Sequence, residues 1–323
     1  MSFGPEGRHT GMKESAFAEQ AERHRRELQI HCYRMTGSLE DSEDLTQETF
    51  MRAWKGREGF EGRSSFRAWL YRIATNACLD ALRRRPRSPA ASGEVPWLQP
   101  FPDRLLEEAA PSEDEPDAAV SSKETIELAF MVAIQHLPPT QRAVLILRDV
   151  LGWPAKDTAE LLETSVPSVN SALQRAHAGM KQHLPERRSE WAAGADRTEE
   201  ERRLVQRYID ATDRADPRAL VELMREDARF SMPPEPGVYV GRETIVGFWM
   251  AGGAFDLDNF GHMRGVATRA NLQPAVACYV RRPGESDHLP LALDVLRIED
   301  GVVAEILTFE SRHFPAFDLP PKL

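Results

Sequence analysis

The chain has 323 residues, 51 acidic against 41 basic side chains for a net charge of −10, and 41% hydrophobic residues. Such a length suits two or three domains with packed cores, and the acidic balance argues at first against a nucleic-acid binder. Three scattered cysteines (Cys32, Cys78, Cys278) without CxxC spacing exclude a disulfide framework and a zinc site, and no apolar run approaches the roughly 20 residues that span a bilayer. With no signal peptide in view, the expectation is a reduced, cytoplasmic protein with no membrane association, no metal and no cofactor.

The charge is uneven: Arg83–Arg87 is basic, whereas Glu94–Asp117 is strongly acidic. Local basic faces are what DNA would meet. After a Gly-rich polar stretch, residues 13–87 read as helices broken by one loop near Gly56–Ser64. On a 3.6-residue wheel Leu45, Thr49, Phe50, Ala53 and Trp54 fall on one half of the Leu39–Trp54 helix, and Asp41, Asp44, Gln47, Glu48 and Met51 on the other. In the next helix, from Ser65, the apolar stripe is Phe66, Leu70, Ile73, Ala77 and Ala81. Arg72, Asn76, Leu79 and Arg83 recur on a different face, with Asp80 and Arg84 near it. Arginines suit phosphates, and Asn76 and Asp80 suit base edges.

Residues 88–120, rich in Pro, Ser and acids, read as an acidic flexible linker. Residues 121–184 are helical again. Leu137-Pro-Pro-Thr-Gln-Arg142 marks a helix start, and Ala155–Leu162 with Val166–Gln182 forms a helix-turn-helix. The second of these helices has an apolar stripe of Val166, Val169, Leu173, Ala176 and Met180. Pro167, Ser168, Ser171, Gln174 and Arg175 project from its other side, and Ser165 is a natural N-cap. A polar stretch, Pro185–Arg197, joins a third unit at 198–323, where helices give way to alternating strands.

The two helical blocks, in this order and with these internal patterns, resemble regions 2 and 4 of an extracytoplasmic-function (ECF) sigma factor of the sigma-70 family. The resemblance covers roughly residues 15–185. It implies a region 2 domain at 13–87 and a region 4 domain at 121–184, in a protein that joins core RNA polymerase and reads a two-part promoter. Asp41, Asp44, Gln47 and Glu48, with Met51 beside them, match the face that docks on the clamp helices of the polymerase's largest subunit. Arg72, Asn76, Asp80, Arg83 and Arg84 match the helix that captures an unstacked base of the −10 element. Ser165, Pro167, Ser168, Ser171, Gln174 and Arg175 match the helix that reads the −35 element. Glu163 departs from the family, which usually has Gly at that left-handed turn, at a cost of up to ~1 kcal/mol. Asp157 and His177 also depart, standing for Glu and a basic residue. In sigma factors the linker threads through the polymerase, so its acidity fits either a disordered spacer or an occupant of a basic nucleic-acid channel.

The third unit resembles the nuclear-transport-factor-2-like cone in its SnoaL-like branch. Asp227-Ala-Arg-Phe, Tyr239-Val-Gly-Arg-Glu and Ile298-Glu-Asp-Gly-Val-Val-Ala-Glu carry this likeness. The implied fold class is multidomain: two all-α domains plus a C-terminal α+β cone. The resemblance implies a cavity with room for a small-molecule ligand, and Met232, Tyr239, Trp249, His262, Asn271, Tyr279 and Asp294 are its candidate lining, with simple core packing as the alternative. Asp294 lies in an apolar strand and could pair with His262 as acid and base, as in a cyclase. The tail Phe314–Pro321 suits docking on a neighbour or packing on its own domain. The expectation is therefore a non-enzymatic sigma factor with the C-terminal domain as a built-in regulator. The alternative is a promoter-recognition module fused to a small-molecule-binding or cyclase-like domain.

Overall fold

The computed structural model describes residues 14–60, 65–84, 98–107, 128–183, 199–233, 235 and 237–323. The N-terminal module packs α1 (Glu14–Arg23), α2 (Arg25–Thr36), α3 (Leu39–Gly56) and α4 (Phe66–Arg84). Gly37, at φ 71°, ends α2 in the left-handed conformation that a side chain would disfavour. Ser38 then caps α3, its hydroxyl accepting from Asp41 N at 3.1 Å. These two residues fix the turn that aims α3 across α2. Of the apolar stripe expected on α4, Phe66, Leu70 and Ala77 are buried, Ile73 and Ala81 are half-buried, and Tyr71, Ala74 and Cys78 complete the buried face.

The second module holds α6 (Leu128–Gln135), α7 (Pro139–Leu145) with a π-turn continuation Ile146–Val150, α8 (Ala155–Leu161) and α9 (Val166–His183). α8 and α9 form the expected helix-turn-helix. Glu163 does occupy the left-handed turn, at φ 52°, and Ser165 does cap α9, accepting from Ser168 N at 3.3 Å. Val169, Ala176 and Met180 are buried and Leu173 is half-buried. Val166 leaves the expected stripe: in the first turn of α9, it is exposed.

The C-terminal domain sets α10 (Glu199–Asp213), α11 (Pro217–Leu223) and α12 (Arg242–Ala251) against one six-stranded sheet. Its strands are β1 (Met224–Ser231), β2 (Val238–Val240), β3 (His262–Ala270), β4 (Gln273–Arg281), β5 (Leu289–Glu299) and β6 (Val302–Glu310), in the order β2-β1-β6-β5-β4-β3. Only β1 and β6 pair in parallel. Strand alternation sends Val276, Cys278, Leu296 and Ile306 to the helices and Ala277, Tyr279, Leu293, Val295 and Phe309 to the opposite face. That opposite face belongs to one continuous apolar core running through both helical modules.

What covers it corrects the flexible-linker expectation for part of 88–120. Residues 98–103 are irregular apart from a β-bridge at Pro102, α5 (Arg104–Glu107) follows, and Leu98, Phe101, Leu105 and Leu106 are buried. Four apolar side chains inside an acidic stretch give it something to bury, which a purely polar spacer lacks. The remainder of 88–120 lies outside the described residues. The tail packs within the chain: a 3₁₀ segment, Ser311–Phe317, buries Phe314 and Phe317 against the same face. Among the described residues no helix is long and apolar enough to cross a membrane, and no group of His, Cys, Asp and Glu could hold a metal.

Candidate functional site

The residues expected to act together lie on three helix surfaces. On α3, Asp44, Gln47 and Met51 are exposed, Met51 by 58%, and Asp41 and Glu48 are half-buried beside them. Burial of Leu45, Thr46, Thr49 and Ala53 turns this acidic stripe outward. Glu48 is engaged by Arg52, whose Nε donates to it at 3.0 Å. The stripe is an open, negatively charged helix face suited to a guanidinium-rich partner.

On α4, Arg72, Arg83 and Arg84 are exposed and Asn76 and Asp80 half-buried along one side. Asp80 is tied to Arg83 in its own helix and to Arg52 at 3.5 Å, and the Arg83 hydrogen bond, foremost, holds its carboxyl below the usual range. Asp80 therefore orders two arginines and is not a free acceptor. Aromatics stand beside this face, Phe60 and Trp69 among them passed over by sequence reasoning: Arg57 stacks on Trp54 at 3.7 Å, and Phe60 meets Trp69 at 4.9 Å between ring centroids. On α9, Ser165, Pro167, Ser168, Ser171, Gln174 and Arg175 are all exposed along one side, the geometry of a helix that enters a major groove.

The two modules touch. Arg72 Nη2 donates to Glu163 Oε1 at 2.8 Å, so the Arg72 side of α4 meets the turn before α9. Tyr71 and Trp153 pack edge to face at 5.6 Å. Deeper in, Gln135 Nε2 donates to Arg34 O at 3.1 Å and the buried Arg142 guanidinium donates to Met35 O. Arg142 also donates to Gln135 Oε1, Gln135 O (2.8 Å) and Leu137 O (3.1 Å). These cations and amides serve the orphan carbonyls at the C-terminus of α2. The sequence showed Arg142 only as part of a helix start. A buried arginine whose acceptors are mostly backbone carbonyls has no sequence signature.

The linker is held from both sides. Tyr33 Oη donates to Gln99 O at 2.8 Å, and Gln99 Oε1 accepts from Ser38 Oγ and Glu40 N, each at 3.1 Å, at the start of α3. From the other side Phe101 N donates to Asn271 Oδ1 at 2.8 Å, and Asn271 Nδ2 donates to Tyr33 Oη at 2.9 Å. Asp103 accepts from Leu272 N at 2.7 Å and Arg269 Nε at 2.8 Å. A cleft of about 270 Å³ lies at this junction, lined by Asp103, Arg104, Thr268, Arg269 and Phe317 among others.

The candidate cavity residues divide. Tyr239 and Trp249 pack with Phe230 on the helix side of the sheet, and Met232 joins them. Asp294 is buried on that side and accepts from Tyr208 Oη at 3.0 Å, Cys278 Sγ at 3.5 Å and Thr308 Oγ1 at 2.5 Å. Burial raises its pKa, and those three donors oppose the rise. Asn271 is not a cavity residue: it sits in the two-residue β3–β4 turn, at φ 54°, bonded to the linker and region of Tyr33. Tyr279 faces the opposite side, packed on Phe314 and donating to Pro320 O at 2.9 Å, because it is odd-numbered on a strand whose even positions face the helices. The His262–Asp294 pair also fails. His262 is exposed opposite Arg281, whereas Asp294 lies opposite Val276, five residues along β4 and two strands away.

Comparison with known proteins accords with this division. Residues 21–88 match the Sigma-70 region 2 family, residues 127–178 the Sigma-70 region 4 family, and residues 205–306 the SnoaL-like domain. The chain is 42% identical to the ECF RNA polymerase sigma factor SigG of Mycobacterium tuberculosis, over 95% of this chain and 85% of that one. It is 30% identical to SigE of Mycolicibacterium smegmatis over 51% of this chain and 60% of that protein. The crystal structure of the M. tuberculosis extracytoplasmic function sigma factor SigJ has the same fold, with a TM-score of 0.59 at 21% identity, over 94% of this chain and 99% of SigJ.

Proposed function

The chain belongs to the ECF RNA polymerase sigma factors, and from that premise we propose how its surfaces divide the work. As a sigma factor it binds core polymerase and promoter DNA. The acidic stripe Asp41, Asp44, Gln47, Glu48 and Met51 on α3 serves the polymerase. Arg72, Asn76, Arg83 and Arg84 on α4 serve the −10 element, with Asp80 positioning Arg83. The exposed side of α9 serves the −35 element. The domain limits that go with this reading are 13–87 for region 2, 121–184 for region 4 and 198–323 for the C-terminal domain.

The observation that carries the regulatory part is the Arg72–Glu163 contact of 2.8 Å. The −10 and −35 elements are nominally about 25 base pairs apart, about 85 Å along B-form DNA. Modules in contact cannot read both, so this arrangement is a closed one, and the C-terminal domain, bound to region 2 through the linker, favours it. The domain works by contact and not by chemistry: both Asp294 oxygens are engaged by neutral donors and His262 stands apart. The α3 stripe stays exposed in the closed chain, so polymerase docking comes before opening.

Reversing the stripe tests the first part. Asp41→Arg with Asp44→Arg should abolish association with core enzyme while helicity is kept, because like charges would then meet. Unchanged affinity in a core-enzyme titration sinks the assignment. For the regulatory part, removing residues 198–323 should change promoter-dependent transcription several-fold. Equal initiation by both chains over a range of concentrations would make the C-terminal domain a passenger.

A further inference from the structure

We infer that the target of the C-terminal domain is the inter-module linker. The β3–β4 turn clasps residues 101–103 within the segment 98–107 and so limits how far region 4 can travel from region 2. This rests on the closed-state reading above and names the contact that enforces it.

The clasp is built, not incidental. Phe101 N and O are both bonded to Asn271, one through the side chain at 2.8 Å and one through the backbone at 2.9 Å. Pro102 bridges Ala270 in antiparallel register, and Asp103 takes the Leu272 N–H. Both turn residues have positive φ, 54° at Asn271 and 63° at Leu272. A type I′ turn requires that, but leucine is a strained choice there. Strained backbone persists where its surroundings hold it, and here the surroundings are the linker. The same linker segment caps the N-terminus of α3 through Gln99. One ten-residue segment thereby joins the polymerase-facing helix to the C-terminal domain.

Tether lengths show the consequence. Residues 85–127, 43 in all, lie between α4 and α6. With 98–107 clasped, region 4 hangs from 20 linker residues, 108–127, and from the C-terminal domain by 15 more, 184–198. Fully extended, 15 residues reach about 50 Å. A separation of about 85 Å along the promoter exceeds both that reach and the roughly 70 Å that 20 residues can cover, so the clasp limits the span between the modules. With the clasp open, the C-terminal domain travels with region 4 and the whole linker is available.

A reversible lock on the full chain tests this. Pro102 and Ala270 oppose each other in an antiparallel bridge, where Cα atoms lie about 4.5–5.5 Å apart, within disulfide range. Under a mild thiol oxidant, P102C with A270C should lose at least tenfold in initiation from a two-element promoter, keep its association with core enzyme, and recover on reduction. Equal initiation by oxidised and reduced protein overturns the inference, and so does loss of core association together with initiation. As a converse, N271G with D103A should initiate several-fold more than the wild type at limiting concentration and become more sensitive to trypsin at Arg104. If it initiates like the wild type while Arg142→Met initiates more, the closed-state reading stands and the clasp is wrong. If both behave as wild type, the regulatory reading itself falls.

Discussion

Replacing Arg142 by Met should shift the balance between touching and separated modules toward separation by about 10- to 150-fold. Of the acceptors of its guanidinium, Gln135 Oε1, Gln135 O and Leu137 O belong to the same module and survive separation. The bond to Met35 O crosses to the other module and is lost when the modules part. A hydrogen bond from a charged donor nets about 1.5–3 kcal/mol, and about 1.4 kcal/mol is a factor of ten, which gives that range. The Arg72–Glu163 pair is 46% and 72% exposed, so it is worth about 0–1 kcal/mol and at most about fivefold. The buried latch therefore outweighs the visible ion pair. Single-molecule energy transfer between dyes on K55C and K181C, both exposed positions, reads the separation. Arg142→Met should populate a long-distance state, Arg72→Ala much less. The reasoning is refuted if the two variants shift equally, or if Arg142→Met keeps the wild-type distance distribution while folded.

The DNA-reading surfaces should separate by target. Asn76→Ala should relax selectivity at the −10 element, and Arg175→Ala should weaken −35 binding by ~1–3 kcal/mol if it reaches a base; a uniform loss on every promoter variant would mean both touch only phosphate. His31 is buried, with Nε2 on Thr75 Oγ1 at 2.9 Å, and burial, foremost, lowers its pKa to about 3. The unfolded chain takes up this proton below about pH 6.5 while the folded chain resists until about pH 3, so stability falls with falling pH in that window. Between pH 7 and 5 the loss from this group is about 2 kcal/mol, and His31→Gln should flatten that part of a denaturation-versus-pH curve.

The parts legible in the sequence were those with a periodic pattern. The acidic and apolar halves of α3 and the outward polar side of α9 followed from helical spacing alone, whereas the left-handed position of Glu163 came from the family resemblance, which usually has Gly there. The illegible parts depended on contacts far apart in the chain. Leu98, Phe101, Leu105 and Leu106 did carry a signal, apolar residues at near-helical spacing in an acidic segment, but they join a core shared with distant elements, and the backbone of Phe101 is held by Asn271, 170 residues away. Asn271 itself reads in the sequence as a cavity-lining candidate, and only its place in the β3–β4 turn shows that it faces the linker. Asp294 stood out as a buried carboxylate, yet only the strand register could show that Thr308 and Val276, not His262, lie opposite it.

That separation of 170 residues between Phe101 and Asn271 also sets a clock. At about 5–20 residues per second, the ribosome makes Asn271 roughly 10–30 s after Phe101. Both helical modules are complete before the β3–β4 turn exists. Each newborn molecule therefore passes through an interval in which its promoter-reading modules are finished but unclasped, held to each other only by their own contacts such as the Arg142–Met35 bond, and the length of that interval follows the rate of translation.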